Sequence, residues 1–150
     1  AVKGVKDISY GLRPSILDNL GLVSSIAALV NDFQRAAGME IRFFHKNVPK
    51  RFDQEKETAV YRIVQEALNN IVKHAHATEV YISLSRKGNA LHLAVEDNGI
   101  GFIAEDFSGE ASKGKLGLLI MQERVAQLDG QLSIESRVGG GAYLWVEIPL

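Results

Sequence analysis

Hydrophobic and polar positions alternate along this chain with two different periods, and each period predicts one kind of element. From Ser15 onward the apolar residues recur every three or four positions, which predicts an amphipathic helix capped by Gly38. The segment from Gln54 to Ala75 has the clearest helical pattern, because its apolar residues form one continuous stripe. A third helix is predicted from Leu116 to Leu128, after a polar, aperiodic stretch from Ile103 to Lys115 that predicts a long loop.

Strict alternation of apolar and polar residues predicts the strands. Residues 39–45 form the first, and residues 80–85 and 91–96 flank a Lys87-Gly88-Asn89 turn, which predicts a hairpin. Two more strands follow Gly130, on either side of the glycines at 139–141. About three helices and about five mainly antiparallel strands predict an α/β fold, a two-layer sandwich of a sheet packed on helices.

Composition narrows the class of protein. A chain of 150 residues suits one domain, and a net charge of −1 offers no basic field for a nucleic-acid backbone. The absence of cysteine excludes disulfides and Cys-based zinc sites. The longest apolar runs are shorter than a bilayer requires, so no membrane contact is predicted for this chain.

The first candidate site is Asp97-Asn98-Gly99-Ile100-Gly101-Phe102, at the end of a predicted strand. Alternation along the strand puts Asp97 on the core side, where a carboxylate is costly unless it is paired. Gly99 and Gly101 remove side chains beyond it, so a flat ligand could approach the backbone. Such a carboxylate suits an exocyclic amine, for example that of adenine. The alternative is an Asx-Gly turn that closes a hairpin, and these residues alone leave both interpretations open.

The second candidate site is a polar stripe on the long helix, formed by Glu66, Asn70 and Lys73 at i, i+4 and i+7. Carboxylate and carboxamide oxygens one turn apart suit a hard cation such as Mg²⁺. A lysine one turn further can meet a phosphate as a point charge. The alternative is an ordinary solvated helix face, which often has such spacing.

The third candidate site is Gly114-Lys115-Leu116-Gly117-Leu118, at the start of the third predicted helix. Glycines before a helix leave backbone N–H groups free to face a phosphate, and the helix dipole favours the negative charge. A glycine pair is weak support by itself. It gains weight because it follows the predicted loop, which would close over a bound nucleotide.

In this order, the three segments resemble the sequence boxes of the GHKL superfamily (gyrase, Hsp90, histidine kinase and MutL type). They are most similar to the catalytic domains of sensor histidine kinases of the nitrate/nitrite-sensor and desaturase-sensor type, which act on LuxR-type response regulators. The resemblance comprises an N box at 65–75, glycine boxes at 97–102 and 114–124, a junction at 12–22 and a closing strand at 140–149. It covers nearly the whole chain.

The resemblance implies the Bergerat fold, with ATP and Mg²⁺ as cofactors and residues 103–115 as the ATP lid. Asp97 would accept a hydrogen bond from the adenine amine, and Asn70 with Glu66 would ligate Mg²⁺. Glu66 falls where the related ATPases place a water-activating glutamate, so Glu66 and Asn70 are the expected catalytic residues. The residues expected to bind the nucleotide are Asn70, Lys73, His74, Asp97, Gly99, Gly101, Gly114, Lys115, Gly117 and Leu118.

Two positions depart from the family pattern. Lys115 stands where the second glycine box usually has a histidine, so the lid contact with the phosphates is expected to differ. Ala142 stands where a threonine hydroxyl often supports the adenine aspartate through water. A single neutral hydrogen bond is worth roughly 0.5–1.5 kcal/mol, so nucleotide affinity is expected to fall modestly.

A histidine kinase also needs an acceptor histidine on a helical hairpin, and the histidines at 45, 74, 76 and 92 do not lie on an acceptor-type helix. We therefore expect residues 1–12 to be the C-terminal stub of the dimerisation/phosphotransfer hairpin and residues 13–150 to be the catalytic domain. The chain alone should bind ATP without phosphorylating itself. The resemblance implies a cytoplasmic domain of a homodimeric parent, with a LuxR/NarL-like response regulator as partner, and leaves open whether the parent is anchored in a membrane.

Other functions fit the same fold. An anti-sigma-factor-like GHKL serine kinase has a similar size, but the Arg13-Pro14 junction resembles that of histidine kinases. A nucleotide-binding module without catalysis is favoured by Lys115 and Ala142 and opposed by the intact N box and first glycine box. A DNA-acting ATPase of the gyrase type ranks last, because this sequence shows neither a transducer domain nor a basic surface.

Overall fold

The computed structural model describes residues 14–100, 110–137 and 139–150, without the side chains at 74, 75, 110–116, 118 and 137. Several sequence predictions therefore lie outside the described residues. These are the stub at 1–12, the junction residue Arg13, Gly101, the first part of the lid up to residue 109, and the side-chain roles of His74, Lys115 and Leu118.

The first helix, α1, spans Ser15–Ala37. It follows Pro14, whose backbone is extended (φ −63°, ψ 134°), as a proline before a helix allows. It ends at Gly38, which is left-handed (φ 69°) and donates its N–H to the carbonyl of Gln34. The predicted helix and its glycine cap are confirmed.

A kink divides α1 at Gly21, whose φ of 79° and ψ of 175° are not helical. The kink leaves carbonyl groups of the first half without helical partners, and the Arg51 guanidinium donates to two of them, at Leu17 (3.0 Å) and Asp18 (3.2 Å). The Nε atom of Arg51 also lies 3.6 Å from the fully buried carboxylate of Glu57. The loop before the second helix thus braces the first.

The second helix, α2, spans Gln54–Asn70 and begins at Asp53, whose side chain accepts a hydrogen bond from the Glu55 N–H. The chain then continues as a π-helical turn, Ile71–Ala75, which His76 ends in a left-handed conformation (φ 51°). The predicted extent of 54–75 is confirmed, but its last turn is wound more widely than an α-helix.

The third helix, α3, spans Glu110–Gln127. It begins six residues earlier than Leu116, so the prediction that the loop extends to Lys115 is wrong for residues 110–115. Polar and small residues such as these can occupy a solvated first turn as readily as a loop, and their lack of apolar periodicity concealed the helix.

Five strands form one sheet in the order β1-β2-β3-β5-β4. Their bounds are β1 Glu40–Lys46, β2 Glu79–Lys87, β3 Ala90–Asp97, β4 Gln131–Arg137 and β5 Gly141–Pro149. Among the strands of the described residues, only β1 and β2 pair in parallel, as the crossover through α2 between them permits, and the other neighbours are antiparallel. The β2–β3 hairpin turns at Gly88-Asn89, as predicted.

The helices cover one face of the sheet and enclose the core. Each strand alternates, so Val80, Ile82 and Leu84 of β2 are fully buried while the residues between them are more exposed. The helices contribute buried apolar residues that include Leu17, Leu22, Ile26, Ile63, Val64, Leu68, Met121 and Val125. The predicted two-layer α/β sandwich is confirmed.

By length and composition alone, α1 is apolar enough to cross a membrane, with a mean hydropathy of 1.3. Its uninterrupted apolar runs are short, as predicted, because polar residues interrupt them, so the hydropathy is an average over the helix. Its Leu17, Leu22 and Ile26 are at most 1% exposed and belong to the core. The same hydropathy is expected of a core helix in a globular domain.

Candidate functional site

Asp97 is the last residue of β3 and one of the few buried charged residues, with an exposed fraction of 6%. Its position follows from the strand's alternation, which confirms the predicted core-facing phase. The carboxylate accepts hydrogen bonds from the backbone N–H of Gly99 (Oδ1, 2.8 Å) and from that of Ala142. Burial raises the pKa of the Asp97 carboxyl above its ordinary 3.8, although the bonds from Gly99 and Ala142 act in the opposite direction.

This electrostatic situation suits a ligand that donates a hydrogen bond. Burial removes the ionised carboxylate from water, and the hydrogen bonds from two backbone N–H groups compensate only in part for the lost hydration. The pKa of the carboxyl is raised for this reason. A further donor, such as an exocyclic amine, would stabilise the ionised form. The geometry therefore fits the predicted role of Asp97.

Gly141, at the start of β5, supports the backbone of Asp97. Its φ is +79°, and a Cβ atom at this position would overlap the carbonyl oxygen of Asp97, which lies opposite Ala142 in the β3–β5 register. A glycine is required here both by the left-handed backbone and by the close approach. From the sequence, this glycine is only part of the closing motif, because the strand register that brings it against Asp97 is a feature of the tertiary structure.

Asn98 has a structural role. Its Oδ1 accepts from the N–H groups of Thr78 (2.9 Å) and Glu79 (3.0 Å), and its Nδ2 donates to Thr78 Oγ1 (3.0 Å). These bonds tie the end of β3 to the start of β2. The Asx turn forms at Asp97, whose Oδ1 accepts from the Gly99 N–H, so the turn and the ligand site involve the same carboxylate.

Asn70 ends α2 with its side chain half-buried, one turn after the half-buried Glu66. Its Nδ2 atom is buried and has no hydrogen-bond partner among the described residues. Leaving a buried polar group unsatisfied costs roughly 1–3 kcal/mol. A ligand at this position would remove that cost. A hydrogen-bond acceptor could bind the amide nitrogen, and with the amide flipped a cation could bind the side-chain oxygen.

Lys73 is exposed and lies in the π-helical turn, beyond the end of α2. The predicted stripe assumed α-helical winding throughout, and the wider π turn rotates Lys73 away from the line through Glu66 and Asn70. The structure thus keeps Glu66 and Asn70 on one α-helical face, while Lys73 follows in the π-helical turn.

The second glycine box lies within α3, not before it. In a helix that begins at Glu110, the first four N–H groups lack intrahelical acceptors, whereas Gly114 and Gly117 come later and donate within the helix. The prediction that these glycines expose N–H groups ahead of a helix is therefore wrong for this structure. Gly117 instead approaches Glu66, since a Cβ on Gly117 would lie 2.7 Å from Glu66 Oε2.

Packing places the elements that carry the three candidate sites in contact with one another. The helix α2 contacts both β3, which ends in Asp97, and α3, which contains Gly117. No cluster of three or more His, Asp or Glu side chains suited to a metal is found in the described part of the chain. A cation at Asn70 would therefore depend on ligand oxygens as well as on the protein, as Mg²⁺ bound with phosphates usually does.

Comparison with known proteins shows the family to which the chain belongs. Residues 55–150 match the family described as histidine kinase-, DNA gyrase B- and HSP90-like ATPases. The chain is 36% identical over 150 residues to the oxygen sensor histidine kinase NreB of Staphylococcus carnosus, covering 99% of the chain and 42% of that protein. It is 36% identical over 146 residues to the histidine-protein kinase/phosphatase DegS of Brevibacillus brevis, covering 97% of the chain and 37% of that protein. The chain thus spans less than half the length of these relatives.

Solved structures share the fold. The blue-light activated histidine kinase of Erythrobacter litoralis aligns with a TM-score of 0.66 and 22% identity, over 86% of this chain and 45% of that one. The catalytic domain of the histidine kinase ThkA aligns with a TM-score of 0.65 and 16% identity, over 85% of this chain and 90% of that one. Full-length ShkA, solved in complex with AMPPNP, aligns with a TM-score of 0.65 and 25% identity, over 86% and 29% of the two chains. This chain belongs to the histidine kinase-, DNA gyrase B- and HSP90-like ATPase family and, within it, to the ATP-binding catalytic domains of sensor histidine kinases.

Proposed function

We propose that this domain binds Mg-ATP with the adenine amine on Asp97, and that its parent protein transfers the γ-phosphoryl group to a histidine on a separate helical hairpin. The observation that carries the proposal is the buried Asp97 carboxylate, held at a strand end by two backbone N–H groups. Phosphoryl transfer needs positioning and charge neutralisation more than covalent help from the protein, and this arrangement offers positioned polar groups.

Asn70 and Glu66 are the proposed Mg²⁺ ligands. The half-buried amide of Asn70 has a buried nitrogen with no partner among the described residues, and Glu66 lies one helical turn away. Bound Mg²⁺ would supply charge neutralisation at the phosphate oxygens. Glu66 is also the proposed residue that orients the acceptor.

The remaining nucleotide contacts are proposed from position in the chain. Gly99 and Gly101 would lie beside the adenine, while Lys73 and His74 would approach the phosphates. The second glycine box would cover the phosphates with Gly114, Lys115, Gly117 and Leu118. In the described structure the box is helical, so phosphate contact by these N–H groups would require its first turns to unwind.

The parent protein is proposed to be a two-component sensor kinase. Residues 1–12 would end its dimerisation and phosphotransfer hairpin, and residues 13–150 would be its catalytic domain. We propose that the parent is a homodimer whose catalytic domain lies in the cytoplasm, and that it passes the phosphoryl group to a LuxR/NarL-like response regulator. The similarity to NreB and DegS, both histidine kinases, supports this proposal.

Calorimetric titration with ATP and Mg²⁺ tests the adenine site. Asp97→Asn should weaken ATP binding at least about tenfold, because a hydrogen bond to a charged group contributes roughly 1.5–3 kcal/mol. The matched control is Glu96→Gln, which neutralises the neighbouring carboxylate on the opposite, exposed face of β3 and should leave binding unchanged.

The two variants separate the possible results. Loss of binding in Asp97→Asn alone supports the adenine site. Equal weakening in both variants would indicate a general charge effect, and folded wild-type protein that binds no ATP would contradict the proposed function. Phosphohistidine is labile in acid and phosphoserine is stable, so the acid stability of the transferred phosphoryl group distinguishes the histidine kinase from a serine kinase.

A further inference from the structure

Gly117 occupies a position where helix formation alone would favour another residue. It lies seven residues after α3 begins, well inside the helix, where glycine costs about 1 kcal/mol relative to alanine. Met121 and Val125, one and two turns later on the same face, are completely buried. Gly117 therefore belongs to the inward face of α3, which packs against α2.

The space beside Gly117 is filled by the carboxylate of Glu66. A Cβ atom on Gly117 would lie 2.7 Å from Oε2, 2.8 Å from Cδ and 3.1 Å from Oε1 of Glu66. The whole carboxylate, and not one oxygen alone, thus lies over the position where a side chain would begin. Any other residue at 117 would force this carboxylate to move.

We infer that Gly117 is a positioning residue for Glu66. Its missing side chain keeps open the space in which the carboxylate lies, one helical turn from Asn70, while the backbone of α3 limits the rotamers that Glu66 can adopt. The contact between Gly117 and Glu66 is observed in the structure, whereas the functional role of Glu66 rests on the proposed function. The cost of a glycine inside α3 is then offset by the correct placement of a functional carboxylate.

A substitution at Gly117 should affect stability and phosphoryl transfer in opposite directions. An alanine at 117 improves the helix propensity of α3, and the atoms that it displaces belong to the terminal carboxylate of a flexible side chain. Gly117→Ala should therefore fold as well as the wild type or better. The same change should move Glu66, so a loss of transfer activity would accompany unchanged or higher stability.

The test combines two measurements on this chain with one on the full-length parent kinase. The chain is labelled with ¹³C-glutamate, and Glu66→Gln assigns the Glu66 carboxyl resonance. Gly117→Ala should shift this resonance, while the urea midpoint of the Gly117→Ala variant should be unchanged or higher than that of the wild type. In the parent at saturating ATP, phosphoryl transfer should fall roughly tenfold to a hundredfold, as misplacement of a functional group by about 1 Å can cause.

Two controls make the result specific. Ala126→Gly places a glycine on the exposed face of the same helix, so it should lower stability by about 1 kcal/mol and leave the Glu66 resonance unmoved. In the Glu66→Gln background, Gly117→Ala should cause no further loss of transfer, because both changes act through one carboxylate.

An unmoved Glu66 resonance in Gly117→Ala would overturn the contact, and a shifted resonance with full transfer activity would overturn the positioning role. Failure of the wild-type chain to bind ATP would overturn the proposed function, while a shifted resonance would still support the contact. The two hypotheses can therefore fail independently.

Discussion

At the scale of single residues, Asp97 and Gly141 show how a strand end holds a buried carboxylate. Alternation along β3 turns Asp97 inward, and the backbone N–H groups of Gly99 and Ala142 offset part of its lost hydration. Gly141 allows the neighbouring strand to approach the Asp97 carbonyl directly. Within the described residues, two backbone N–H groups hold the carboxylate and no cationic side chain pairs with it, which leaves its charge to interact with a ligand.

The raised pKa of Asp97 predicts a pH dependence of stability. Between the ordinary value of 3.8 and the higher folded pKa, the folded state keeps a proton that the unfolded state has lost. The contribution of Asp97 to stability is therefore fully present below 3.8 and is lost as pH rises through the folded pKa. Urea unfolding over this range should show the wild type losing stability relative to Asp97→Asn as pH rises. A difference that is constant, or that grows with pH, would contradict this.

Gly141→Ala should destabilise the fold by more than the strain of a left-handed alanine alone, which is of order 1–3 kcal/mol. Its Cβ would meet the backbone carbonyl of Asp97, which cannot yield as a flexible side chain can. Gly139→Ala is the matched control, because Gly139 has a similar φ of +77° and no atom within 4 Å of the added Cβ. Chemical unfolding measures both, and equal losses would show that the contact with Asp97 contributes nothing.

At the scale of elements, α1 depends on a neighbouring loop. Its kink at Gly21 interrupts the helical hydrogen bonds, and the loop at 47–53 supplies replacements through Arg51. Ser25 adds a bond from its hydroxyl to the Gly21 carbonyl (2.5 Å). Because α1 follows the proposed junction with the phosphotransfer hairpin, this brace links that junction to the N-terminus of α2.

Arg51→Ala should lower the free energy of unfolding by about 2 kcal/mol. This is less than the usual cost of breaking a buried ion pair, because the Arg51 side chain is 44% exposed and solvent weakens the pair. The variant removes the donors to the Leu17 and Asp18 carbonyls and the cation beside Glu57. Arg35→Ala breaks the exposed ion pair with Asp32 and should cost less than about 0.5 kcal/mol. Urea unfolding measures both changes, and similar costs would rule out the brace.

At the scale of the whole molecule, the sheet order brings the site together. Asp97 ends β3, the central strand of the sheet, and pairs with Val80 of β2 on one side and with Ala142 of β5 on the other. The helix α2 packs between β3 and α3 and carries Glu66 and Asn70 toward the same layer. Residues from distant parts of the sequence thus share one face of the fold.

The sequence alone predicted the elements whose periodicity was strong. The helix at 54–75 and the alternating strands at 80–85 and 91–96 were predicted to within a few residues, because burial imposes a period of 3.6 or 2 on the apolar positions. The start of α3 was missed, since its first turns carry no apolar period. The π-helical turn at Ile71–Ala75 was missed because the apolar stripe continues through it unchanged.

By itself, the sequence determined the fold class, the order of the elements and the inward direction of Asp97, since these follow from local periods and propensities. Only the tertiary structure decided that Gly141 lies against the Asp97 backbone, that Asn98 ties two strands together and that Gly117 leaves space for Glu66. Each of these contacts joins segments far apart in the chain. Such contacts depend on strand register and helix packing, and neither leaves a periodic signal in the sequence.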